Sequence, residues 1–106
     1  MGPTAAGRIE STLANDPEMA ELVAYFCGEL GKRVARLEEA VAAGDLATLQ
    51  TISHQLKGSA PGFGFPDVGR CAGDVESLIR GVTCPDLERI QAATAELVDL
   101  CRRAGR

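Results

Sequence analysis

From Met19 to Val41 the apolar residues Met19, Leu22, Val23, Phe26, Leu30, Val34, Leu37 and Val41 recur every three or four positions without a break. Only an α-helix gathers residues at that spacing onto one face, so this stretch is confined to a long amphipathic helix. Its start reads at Asn15-Asp16-Pro17-Glu18. Asp16 is placed as N-cap, Pro17 at the first helical position where its missing N–H costs nothing, and Glu18 near the positive end of the dipole. Gly44 ends it. Asp45 then caps a second helix with apolar positions Leu46, Leu49, Ile52, Leu56 and Ala60, closed by Gly62 and Gly64. Pro66-Asp67 opens a third, carrying Val68, Cys71, Val75, Leu78, Ile79 and Val82, with Gly81 as its end. Pro85-Asp86 starts a fourth, with Leu87, Ile90, Ala93 or Thr94, Leu97 and Cys101 inward, and Arg102 and Arg103 complementing its negative C-terminal end.

Links this short force successive helices to reverse direction. The expectation is therefore an all-α fold: an antiparallel up-down-up-down four-helix bundle. A short N-terminal lead-in helix over Thr4 to Leu13 precedes it, with Ile9 and Leu13 one turn apart. No run of alternating β-branched residues competes. At 106 residues there is room for one core, so residues 1–106 are expected to form a single domain. Aromatics are only 4% with no Trp, which leaves Leu, Val, Ile and Ala to fill the interior, a palette suited to close-packed helices.

A net charge of −4 argues against nucleic-acid binding, which needs a clustered surplus of Lys and Arg, and runs such as Arg102-Arg103 are too short to supply one. Nothing approaches the roughly 18 consecutive apolar residues of a membrane span. The opening Met-Gly-Pro-Thr-Ala-Ala-Gly-Arg lacks the apolar core of a signal peptide, and Ala6 breaks the myristoylation pattern. A cytoplasmic location is expected. Cys27, Cys71, Cys84 and Cys101 have no CxxC spacing and no nearby His, which disfavours both disulfides and a zinc site; buried reduced thiols are expected on the apolar stripes.

The chain has one His and two Lys. At about 100° per residue His54 lies about 160° from both Ile52 and Leu56, opposite the buried stripe, so it points outward. Lys57 and Gly58 follow at i+3 and i+4, the positions beside it on the helix surface. A helical Gly costs about 1 kcal/mol relative to Ala. Without a Cβ it lets another protein's backbone approach the imidazole, while Lys57 supplies fixed positive charge. An exposed neutral imidazole beside a cation and a clearing suits nucleophilic attack on an anionic centre such as a phosphoryl group. The same residues also fit a plainer reading, with Gly58 serving close helix packing and Lys57 merely solvated.

The run His54-Gln55-Leu56-Lys57-Gly58-Ser59-Ala60 resembles the signature of histidine-containing phosphotransfer domains, commonly written H-x-L-K-G-[SA]-[SA]. Gly64 matches that family's glycine at the end of the His-bearing helix. Val68, Cys71, Val75 and Glu76 match its pattern on the next helix. Asp16-Pro17-Glu18, Phe26, Leu37 and Gly44-Asp45 also fall where such domains have theirs, so the likeness runs from Asp16 to about Cys101. The resemblance implies that His54 carries a phosphoryl group on Nε2, that Lys57 stabilises its charge, and that Gly58 leaves room for the partner's loops. Gln55, Gly64 and Glu76 would be supporting residues, with Glu76 orienting the imidazole. By charge alone Glu76 equally fits a solvated helix position, and a carboxylate beside a phosphoryl group would repel it. Phe63 and Phe65 are candidates for docking the partner or for covering the end of the bundle.

One departure from the family pattern is Pro61, which cannot donate to the carbonyl of Lys57, so the helix is expected to kink or tighten there. The implied partners are response-regulator receiver domains and a hybrid sensor kinase; separately, the stripe-bearing helices account for nearly all of the apolar residues and force no large uncovered patch, so a monomer is expected. The chain would have no kinase activity and no cofactor or metal of its own, Mg²⁺ residing on the receiver. Neither a glycine-rich nucleotide loop nor an acidic Mg²⁺ cluster is present in the sequence. Two alternatives remain: a non-catalytic receiver-binding bundle, and a fragment of a larger sensor kinase. In the dimerisation helices of such a kinase an acidic residue typically follows the His, where this chain has Gln55.

Overall fold

The computed structural model describes residues 7–105. Among them are four α-helices and no strand: α1 (Ala20–Ala43), α2 (Leu46–Ser59), α3 (Pro66–Ile79) and α4 (Leu87–Ala104), with one 3-10 turn, Pro61–Phe63, after α2. Each helix packs on the next, and α4 returns to α1, which closes the bundle.

Local chemistry sets most boundaries. Gly44 ends α1 in the left-handed region, at φ 69°, and the Asp45 carboxylate immediately caps α2 by accepting from the Thr48 backbone N–H at 3.1 Å. Pro66 occupies the first turn of α3, and Asp86 caps α4 through the Arg89 N–H at 3.2 Å. The core these helices enclose is aliphatic, with Leu30, Leu37, Leu49, Ile52, Leu56, Val68, Val75 and Leu97 fully buried. Phe26 stacks on Phe63 and Phe65, with ring centroids 4.5 and 5.9 Å apart.

Several elements depart from the expectations above. The α-helix begins at Ala20, not at Pro17. Asp16 instead accepts the Glu18 N–H, at 2.9 Å, in a separate preceding turn. The lead-in helix is not found: residues 7–13 run as an irregular strap, and Thr4–Ala6 lie outside the described residues. Tertiary bonds hold that strap where helical ones would have been. Ile9 donates to the Arg103 carbonyl at 3.1 Å, Thr12 to that of Gly64 at 2.9 Å, and Ser11 Oγ to that of Phe63 at 2.6 Å.

Leu22 and Leu87, assigned inward, are exposed, because each stands in the first turn of its helix where it overhangs its neighbours. Val82 is exposed because α3 stops at Ile79, two residues before Gly81. The second helix likewise ends at Ser59, before Gly62. Pro61 cannot continue the ladder, and the chain tightens into the 3-10 turn that Gly64 closes at φ 87°. Gly58 therefore sits in the last turn of α2, so its propensity cost is smaller than in a helix interior. All four cysteines are free thiols. Cys71 and Cys101 are buried and pushed up by desolvation, to about 11 and about 12; Cys27 is half-buried and Cys84 exposed.

Candidate functional site

His54 projects from α2 with 64% of its side chain exposed, as the helical angle required. Its Nδ1 is 2.7 Å from Oε2 of Glu76 on α3, a carboxylate only 5% exposed. Lys57 Nζ donates to Oε1 of the same carboxylate at 3.4 Å, and the Arg80 guanidinium lies 3.7 Å from Oε2. Burial raises the Glu76 pKa, but hydrogen bonds from His54 and Lys57 and their charge outweigh it and leave the carboxyl below its ordinary value. An ionised Glu76 can only accept, so Nδ1 carries a ring proton, and in the neutral ring Nε2 is then the nitrogen with the lone pair.

Three glycines shape the surroundings. A Cβ on Gly58 would meet nothing within 4 Å, so the surface one turn beyond His54 is open. On α3, a Cβ on Gly69 would fall 2.6 Å from Pro61 Cγ, and one on Gly73 would touch the Lys57 stem at 3.5 Å. The Gly69-x-x-x-Gly73 face lets the end of α2 lie against α3, which brings Lys57 and His54 within reach of Glu76. Neither glycine nor Arg80 was picked out from the sequence, although small residues four apart on a helix are a recognisable sign of close approach.

The other predicted residues divide. Gln55 is exposed beside His54 and accepts from Arg33 Nη1 of α1 at 3.4 Å. With Ala47, Gln50, Thr51, His54, Glu76 and Arg80 it lines an open concavity of about 480 Å³. Gly64 is buried against Ser11 and Thr12, and it seats the N-terminal strap without lining that concavity. Phe65 is 2% exposed and covers the end of the bundle, while Phe63 is half-buried and stacked on Phe26. Among the described residues no group of three or more His, Cys, Asp or Glu is placed to hold a metal ion, and no helix is long and apolar enough to cross a membrane.

The helical bundle thus presents one imidazole to solvent, with a buried carboxylate behind its Nδ1. The match to the Hpt domain model spans residues 21–106, and the chain belongs to that family. Its members are phosphocarrier modules of two-component signalling that interact with response-regulator receiver domains. Comparison with curated proteins and with solved structures returns no match.

Proposed function

We propose that this chain is a phosphorelay carrier in which His54 Nε2 accepts a phosphoryl group from the aspartyl phosphate of one receiver domain and passes it to the aspartate of another. The observation that carries the reading is the short contact from His54 Nδ1 to buried Glu76, which supports a free, outward Nε2 lone pair. In the forward step Nε2 attacks phosphorus in line, the P–N bond forms, and the acyl P–O bond breaks to release the receiver's carboxylate. No proton has to leave Nε2. The ring, still protonated on Nδ1, becomes cationic, and Glu76 faces that charge from the side away from the phosphoryl group, so the carboxylate stabilises the product more than it repels it.

Lys57 would meet the phosphoryl oxygens, and Gly58 would admit the receiver's loops. The chain would have no kinase activity of its own, with Mg²⁺ and positioning supplied by the receiver and the group entering from a hybrid sensor kinase. Because acyl phosphate and phosphoramidate are both high-energy links, the transfer runs in either direction. We further infer an antiparallel course within one domain. It is supported by Pro61 facing Gly69 while His54 faces Glu76, and by Gly105 lying against Cys27 while Arg102 pairs with Glu38.

The test mixes the protein with a phosphorylated receiver or with ATP alone. Acid-labile label arriving only from the receiver, and absent in His54→Gln, is the expected result. Label from ATP alone, or receiver binding without any transfer, would overturn the reading, the latter in favour of a non-catalytic receiver-binding bundle.

A further inference from the structure

Three cations are held on residues next to His54, on Glu76 and on Gln55. Lys57 of α2 and Arg80, the residue that follows α3, stand over Glu76, and Arg33 of α1 reaches across to Gln55, which lines the same concavity as His54 and Arg80. Two of the heads face solvent while the one acid among them does not: the Lys57 and Arg80 side chains are 55% and 65% exposed and Arg33 is half-buried, against 5% for Glu76. An approaching partner therefore meets positive charge with its counter-charge hidden beneath. Glu29, one turn before Arg33, is paired with Lys32 instead. Eight of the eleven basic residues but fourteen of the fifteen acidic ones lie outside this cluster, so the positive face is set in a strongly negative chain.

We propose that Arg33 and Arg80, with Lys57, form a basic rim that selects receivers whose face around the phosphorylatable aspartate is acidic. The inference rests on the reading of the chain as a receiver's partner. A receiver has to hold Mg²⁺ beside its aspartate, which takes oxygen ligands that are usually carboxylates; that pocket is shared by receivers, so discrimination falls to the sign of the charges around it. A rim of the opposite sign steers that face onto His54 and leaves unfavourable like-charge contact for a receiver with a basic surround. Arg33 and Arg80 act on encounter and orientation. Neither is assigned contact with the reacting phosphorus.

A panel of purified receiver domains of differing surface charge, activated with beryllium trifluoride, tests this by Kd at rising NaCl. Wild type, His54→Gln, Arg33→Glu, Arg80→Glu and the milder Arg33→Gln and Arg80→Gln are compared, each checked by circular dichroism. Affinity for acidic-faced receivers is expected to fall about tenfold or more from 50 to 300 mM NaCl. Either charge reversal is expected to weaken low-salt binding by about tenfold and flatten the salt dependence, with the Gln variants intermediate. Arg89→Glu, the same charge change on α4, keeps the wild-type profile if the rim and not net charge is responsible. Salt-insensitive binding, no binding to any receiver, or equal effects of Arg89→Glu would overturn the proposal. Salt-sensitive binding retained by His54→Gln, with no phosphoryl transfer to the wild type, leaves the rim intact and removes only the carrier function.

Discussion

His54 Nδ1 and Glu76 Oε2 lie 2.7 Å apart, which joins an exposed ring to the one charged side chain that is buried among the described residues. A buried carboxylate stays ionised only if it is paired, and here the pairing also fixes the tautomer of the ring it holds. Removing the carboxylate leaves the imidazole free to rotate and to place its proton on Nε2. Glu76→Ala should slow phosphoryl transfer about ten- to a hundredfold through loss of a charge-assisted hydrogen bond, in single-turnover assays with a phosphorylated receiver. Glu76→Gln, which still offers an acceptor, should lose less.

The same carboxylate makes stability depend on pH. Its pKa in the folded chain is depressed, so its contribution is present above the ordinary glutamate value of 4.5 and is lost as pH falls through the lower folded value. The Tm of wild type should exceed that of Glu76→Gln at neutral pH, and the gap should narrow below about 4.5. A gap that widens on acidification would contradict the assigned ionisation.

Gly58 separates folding from docking. Since a Cβ there meets nothing within 4 Å, Gly58→Ala should leave stability unchanged or raise it by up to about 1 kcal/mol. It should nevertheless slow transfer if a receiver's backbone comes close to that position. Urea melts and transfer rates on one preparation read both effects.

Gly69 should behave in the opposite way. Its Cβ would overlap the Pro61 ring at 2.6 Å, so Gly69→Ala should cost about 1–3 kcal/mol by forcing α2 and α3 apart. Gly73→Ala adds only ordinary contact with the Lys57 stem, and its Tm should stay near that of wild type.

Lys57→Glu places a negative charge against both Glu76 and the incoming phosphoryl group. Transfer should slow more than for any other single surface charge reversal, Arg33→Glu and Arg80→Glu included. Rates for the three variants at one ionic strength give the order directly.

The amino-acid sequence by itself determined the helices, because a period of three to four residues and the capping chemistry of Gly44, Asp45, Pro66 and Asp86 are local properties of the chain. It also determined that His54 faces outward with Lys57 and Gly58 beside it, since one helix carries all three. Where local signals ran out, its reading failed. Asp16-Pro17 has the composition of a helix start but caps a separate turn, and Thr4–Leu13 has the spacing of a short helix although Gly7–Leu13 is tied to Arg103, Phe63 and Gly64 and forms no helical ladder. Leu22 and Leu87 follow the apolar period yet lie beyond the helices that would cover them.

Only the tertiary structure decided what stands behind His54. Glu76, Arg80, Gly73 and Arg33 are up to 26 positions away along the chain, and on sequence Glu76 could equally have been a solvated residue. The way α2 settles onto the glycine face of α3 places a buried carboxylate at Nδ1, and that contact depends on the distance between two helices, which no pattern within either of them specifies.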